Sequence, residues 1–152
     1  MPVSPIPDGY HTITPYIVVK GAKAALDFYE EAFGAELKIK LDHHDGRIAH
    51  AEIQIGDSRV MLADEFPEMD AVAPAAGDAT SFSLMIYVND VDEVFERALE
   101  AGASVKRPVV DQFYGDRSGV LVDPFGHVWS IATHIKDLQQ AEVQKIWNEM
   151  QQ

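Results

Sequence analysis

The stretch Asp111-Gln-Phe-Tyr-Gly-Asp-Arg-Ser-Gly-Val-Leu-Val-Asp-Pro-Phe-Gly-His-Val-Trp-Ser-Ile-Ala-Thr-His134 reads as loop, strand, tight turn and strand. Residues 120–122 and 128–132 are two short β-rich runs. Between them, Asp123-Pro-Phe-Gly126 has Asp first, Pro second and Gly fourth, which fits a type I turn. The leading loop, residues 112–117, presents Gln112, Tyr114, Asp116 and Arg117: an amide, a phenol, a carboxylate and a guanidinium. Binding concentrates in loops of this chemistry beside a rigid hairpin. The plain alternative is that Asp116 and Arg117 pair within a solvated turn.

Upstream, the same kinds of element occur twice. Residues 14–19 read as a strand and Gly21 breaks it. Residues 22–33 read as a helix, with Ala22, Ala25, Leu26, Tyr29, Ala32 and Phe33 on one face. Gly34 stands where a left-handed cap is wanted. Strands at 37–41, 48–55 and 60–63 follow, turning at Asp45-Gly46 and Gly56-Asp57. Residues 64–80 have no period, contain Pro67 and Pro74, and read as a linker or flap. The series then restarts with a strand at 83–88. A helix from Val91 follows, capped by Asp90 with Glu93 three residues on. Gly102 ends it, a strand at 105–110 is interrupted by Pro108, and the opening hairpin completes the set. Corresponding landmarks lie close to 69 residues apart.

One copy of such a unit cannot cover both faces of its sheet. The expected fold is α+β: two tandem βαβββ modules, about 12–63 and 82–134, joined at 64–81 and forming a curved mixed sheet around a cleft. A C-terminal helix at 137–152 completes a single domain over residues 1–152. Its stripe of Leu138, Val143, Ile146, Trp147 and Met150 must cover the chain's own sheet or a partner. Uncovered sheet edges point to a homodimer.

Composition narrows the function. The chain holds 12 basic and 25 acidic residues, a net charge of −13, and no cysteine. This argues against nucleic acid, which is bound by basic patches, and mildly favours a cationic ligand. Without cysteine there is no disulfide framework, thiolate metal site or thiol nucleophile, and a cytoplasmic location fits. No apolar run approaches a membrane span. Residues 1–9 lack the basic region of a signal peptide. No Gly-x-Ser-x-Gly or phosphate-binding Gly-rich loop is present, so no catalytic residue is identified.

Strand alternation places the candidate site. Ala49, Ala51, Ile53 and Ile55 are uniformly apolar and should meet the helix, so His50, Glu52 and Gln54 line the opposite face. Arg59 and Met61 join them, as do Thr14, Tyr16 and Val18, and in the second half Ser83, Met85 and Tyr87. The candidate ligand-binding set is His50, Glu52, Gln54, Arg59, Tyr87, Gln112, Tyr114, Asp116 and Arg117.

Three features resemble the vicinal oxygen chelate superfamily, which contains glyoxalase I, bleomycin-resistance proteins and extradiol dioxygenases. They are the repeated βαβββ unit, the helix end Ala25-Leu-Asp-Phe-Tyr-Glu-Glu-Ala-Phe-Gly34, and Asp123-Pro-Phe-Gly126 before the last strand. Gly9-Tyr-His-Thr-Ile-Thr-Pro-Tyr16, Gln112-Phe-Tyr-Gly-Asp-Arg117 and residues 123–134 resemble its PhnB-like branch. The resemblance implies small-molecule binding in the cleft. In metal-dependent members the ligands stand where this chain has Thr14, Met61, Ser83 and Ser130, none of them a good ligand for a divalent ion. The expectation is therefore a binding protein without cofactor or the usual metal. The alternative is a metal-dependent lyase, isomerase or dioxygenase with an atypical divalent site near His50 and Glu52.

Overall fold

A computed structural model describes residues 2–75 and 77–152. The chain divides into two compact units, Met1–Thr80 with Pro124–Gly126, and Ser81–Asp123 with His127–Gln152. Among the described residues no helix is long and apolar enough to cross a membrane.

The first unit runs β1 (Tyr16–Val19), α1 (Ala22–Phe33), β2 (Glu36–Asp42), β3 (Ile48–Ile55) and β4 (Ser58–Asp64). The strands form a four-stranded sheet in the order β1-β4-β3-β2, with β1 parallel to β4. Alternation decides the core: Ile17, Val19, Ala51, Ile53 and Leu62 are buried, with Ala22, Ala25, Tyr29 and Ala32 of α1. Gly34 ends α1 at φ 69°, donating to Glu30 O at 2.9 Å, while Ala35 N reaches Tyr29 O. Phe125 belongs to this unit, with its ring centre 6.2 Å from those of Phe28 and Tyr29.

The second unit runs β5 (Leu84–Tyr87), α2 (Val91–Glu100), β6 (Ser104–Asp111), β7 (Asp116–Val122), β8 (Val128–His134) and α3 (Gln140–Met150). Its sheet has the order β5-β8-β7-β6, so the tandem α+β modules stand as expected, each with a mixed sheet. Pro108 lies at a register break of edge strand β6, between Arg107 and Val110, where its missing N–H is tolerated.

Several boundaries differ from the sequence reading. Strand β7 begins at Asp116, so Asp116 and Arg117 belong to it and the loop shrinks to residues 112–115. Ladder pairing of Asp116 with His134 and of Arg117 with Thr133 extends the strand, a tertiary effect that local propensity does not carry. Asp64, read as linker, ends β4 opposite Val19.

Asp64 also finishes α1. Gly21 precedes that helix and has no side chain to cap it, so Asp64 Oδ1 accepts from Gly21 N and Ala22 N at 3.0 and 2.7 Å. Its Oδ2 accepts from Ile48 N at 2.7 Å. In the second unit Asp90 accepts from Glu93 N as expected. Thr133 Oγ1, at the repeat offset of 69 from Asp64, accepts from Val91 N at 2.9 Å and donates to Val88 O at 2.8 Å. The first turns of α1 and α2 are therefore each bonded from the last strand of their own module, α2 in addition to its local cap.

Candidate functional site

On the open face of the first sheet three side chains fall in a line. Tyr16 of β1 lies opposite Met61 of β4, which lies opposite Glu52 of β3. His50, two residues before Glu52, shares that face. Tyr16 reaches over β4 to place its hydroxyl 2.9 Å from His50 Nδ1. Beyond the imidazole, His50 Nε2 lies 2.7 Å from Glu52 Oε2. Glu52 is only 6% exposed, and its second oxygen, Oε1, is buried with no hydrogen-bond partner. Such an acceptor loses its water without replacement, at about 1–3 kcal/mol, and calls for a functional or structural reason. Burial also raises the Tyr16 phenol above its ordinary value, so Tyr16 keeps its proton at neutral pH. Register sets Ile39 opposite Glu52 and Leu41 opposite His50. Both are exposed, so apolar side chains open to solvent border the polar line.

Farther along the same face Gln54 lies opposite Arg59. Arg59 Nε donates to Gln54 Oε1, and its guanidinium lies 4.9 Å from the centre of the Tyr10 ring. These two expected site residues are engaged in holding the N-terminal arm, which His11 also ties down through Asp57 O at 2.9 Å.

The second sheet also carries a tyrosine, a histidine and a carboxylate, in a different order. Tyr87 donates to Asp116 Oδ2 at 2.8 Å, and His134 Nδ1 lies 2.7 Å from Asp116 Oδ1. His134 Nε2 lies 2.6 Å from Asp137. Asp116 is buried, yet both its oxygens are served. A buried carboxylate is thus complete in the second unit and incomplete in the first.

The bond to Asp116, then that to Asp137, raises the His134 pKa. Its folded value exceeds its unfolded one. The stability it adds is therefore present in full below ~6.5, the ordinary histidine value, and is lost as pH rises through the folded value. In histidine-detected NMR the His134 midpoint should lie above ~6.5 and move back toward it in Asp137→Asn. A wild-type midpoint at or below that value would rule out the double pairing.

Arg117 is committed elsewhere. Its Nε and Nη2 donate to the two oxygens of Asp92 at 2.9 Å each, and Nη1 donates to Asp111 at 3.0 Å. The Asp92 bonds hold the guanidinium above its usual range and the Asp92 carboxyl below its own. Arg117 thus ties β7 to α2 and does not pair with Asp116 as the simple turn alternative had it. Gln112 donates to Ser118 O at 3.3 Å. Tyr114 meets Phe113 edge-on at 5.3 Å, and Phe113 stacks on Trp147 of α3 at 5.8 Å. Thr14 precedes β1 and Ser83 precedes β5, whereas Met61 lies within β4 and Ser130 within β8 opposite Met85.

The structure therefore gathers His50 and Glu52 with Tyr16, Gln54 with Arg59, and Tyr87 with Asp116. Tyr16 and His134 were absent from the expected set. Strand alternation had already placed Tyr16 on the correct face, and this signal sufficed to include it.

A family model described as the Glyoxalase/Bleomycin resistance protein/Dioxygenase superfamily matches residues 9–131. An uncharacterized protein of Mycobacterium bovis is 38% identical over 135 residues, 87% of this chain and 89% of that protein. Among solved structures, TioX from Micromonospora sp. ML1 aligns with a TM-score of 0.65 at 28% identity, covering 82% of this chain and 99% of TioX. A PhnB protein from Bacillus cereus aligns at 0.64 with 20% identity, over 81% and 99% of the two chains. FosX, a fosfomycin resistance protein from Listeria monocytogenes, aligns at 0.65 with 17% identity, over 88% and 97%. The last two likenesses are of fold.

Proposed function

From the premise that the chain belongs to the Glyoxalase/Bleomycin resistance protein/Dioxygenase superfamily, we propose that it binds a small molecule on the open face of its first sheet. Tyr16, His50 and Glu52 form the anchor. The observation carrying this reading is the buried Glu52 oxygen without a partner. It sits in a polar line bordered by exposed Ile39 and Leu41, and ligand sites combine apolar walls with a few placed polar groups in this way. Gln54 and Arg59 form the rim. Sequestration of the compound is the form of the activity that the bleomycin-resistance part of the superfamily's name supports. The exposed Trp147 and Met150 of α3 support the homodimer.

The reading is metal-free. Thr14, Met61, Ser83 and Ser130 offer three hydroxyls and a thioether, which bind first-row divalent ions weakly. The superfamily's metal therefore does not fit these donors.

Thermal melting with nickel, zinc, cobalt or manganese tests this. A site at a hundredfold excess over Kd would add ~2.7 kcal/mol, roughly 5–10 °C for a domain of this size. At ~100 µM each ion should shift melting by less than about a degree or two. A shift of several degrees that vanishes in His50→Ala would replace this reading with a metal-dependent enzyme centred on His50 and Glu52.

A further inference from the structure

Resting on that placement of the site, we propose that the Tyr16–His50–Glu52 line selects its ligand by the direction of one hydrogen bond. It takes a planar apolar compound carrying a hydrogen-bond donor and discriminates against one that offers only an acceptor.

A carboxylate accepts and does not donate, so the hydrogen in the 2.7 Å contact with Glu52 belongs to His50 Nε2. A neutral imidazole with its hydrogen on Nε2 has a lone pair on Nδ1. The hydrogen in the 2.9 Å contact with Tyr16 is then the phenol's own, and a phenol has only one. Tyr16, which is 49% exposed, is left offering lone pairs and no hydrogen to whatever settles on it. The raised Tyr16 phenol agrees, since the group stays protonated rather than becoming a charged base. Ile39 and Leu41, opposite Glu52 and His50, supply the apolar border for a ring.

Glu52 fixes this polarity, and its unpartnered oxygen makes the polarity reversible by one atom. In Glu52→Gln either the amide oxygen or the amide nitrogen turns toward His50. A buried N–H left unpaired is rarer than an unpaired carbonyl, so the nitrogen takes the His50 side and the oxygen takes the position already lacking a partner. His50 Nε2 must then accept, its hydrogen moves to Nδ1 and is donated to Tyr16, and the Tyr16 hydrogen turns outward. The variant should therefore prefer acceptors.

The test uses indole, which only donates, and acetophenone, which only accepts; both are neutral and planar, so the net charge of −13 favours neither. The full chain, labelled on histidine nitrogens and tyrosine carbons, is titrated by NMR. Wild type should carry the His50 hydrogen on Nε2 and bind indole roughly three- to tenfold tighter than acetophenone, the value of one hydrogen bond. Glu52→Gln should move that hydrogen to Nδ1 and reverse the order. Tyr16→Phe should abolish the preference, and it decides the matter if Glu52→Gln fails to fold. The donor rule is overturned, with the site left standing, by equal or inverted affinities in wild type, by a preference that survives Tyr16→Phe, or by the same order in Glu52→Gln. If neither probe perturbs Tyr16 or His50, the site is overturned as well.

Discussion

Gly115→Ala is expected to destabilise the protein by about 3 kcal/mol or more, lowering its melting temperature by roughly 6–12 °C. Gly115 adopts φ 104°, a conformation that disfavours any side chain. A Cβ built there would fall on the carbonyl oxygen of Lys136, closer than real atoms approach. The obstacle is backbone and cannot rotate away. It is also tied in place, because Gly115 O accepts from Ile135 N at 2.9 Å and Lys136 N at 3.0 Å. Relief requires moving the segment after β8 and breaking those bonds. Gly46 provides the control. It has φ 93° at the β2–β3 turn, but a methyl group added there would meet nothing within 4 Å. Gly46→Ala should cost only the left-handed penalty, about 1–2 kcal/mol. Equal losses in the two variants would show that the clash at Gly115 is absorbed.

Asp123→Ala should cost about 3–5 kcal/mol, the range for breaking a buried polar network. Asp123 is 4% exposed. Its Oδ1 accepts from His127 N at 2.9 Å, and its Oδ2 accepts from the Trp129 indole at 2.8 Å. Trp129 is 1% exposed, so water does not readily replace the lost acceptor. Asp123→Asn retains one acceptor oxygen and should lose roughly half as much. Trp129→Phe should be less damaging in the Asp123→Ala background than in wild type, because the indole bond to Asp123 is already absent there. Strict additivity in urea unfolding would mean that the indole bond contributes nothing to stability.

Asp123 also shows what a local reading of the sequence carries. The Asp-Pro-x-Gly pattern announced the turn, and Asp123 N does close it on His127 O at 2.8 Å. It did not announce that the same carboxylate holds a tryptophan two residues into the next strand. Helices α1 and α2 were legible because their apolar faces repeat with the helical period, and the open sheet faces were legible because alternation is local. The line from Tyr16 through His50 to Glu52 was not. It runs from β1 across β4 to β3, and its Tyr16–His50 contact depends on the register of β1 on β4 and of β4 on β3. The same holds for Arg117, whose partner Asp92 lies on another element, 25 residues away in sequence. Residue type said that these groups could bind something, but only the pairing said which were already occupied.

The caps supplied by Asp64 and Thr133 bear on how the chain folds. A helix that brings its own capping residue can form its first turn early and alone. Helix α1 cannot, because its leading N–H groups wait for a carboxylate 42 residues downstream. That carboxylate arrives only when β4 docks beside β1. Helix and closing strand therefore gain their stability in one step, and a loop of that length must close before either is rewarded. Helix α2 is less dependent, because Asp90 caps it locally through Glu93 N and only its Val91 N–H waits for Thr133, 42 residues on. The first module should thus behave as one cooperative folding unit, α1 opening together with β4, while the first turn of α2 can form ahead of β8.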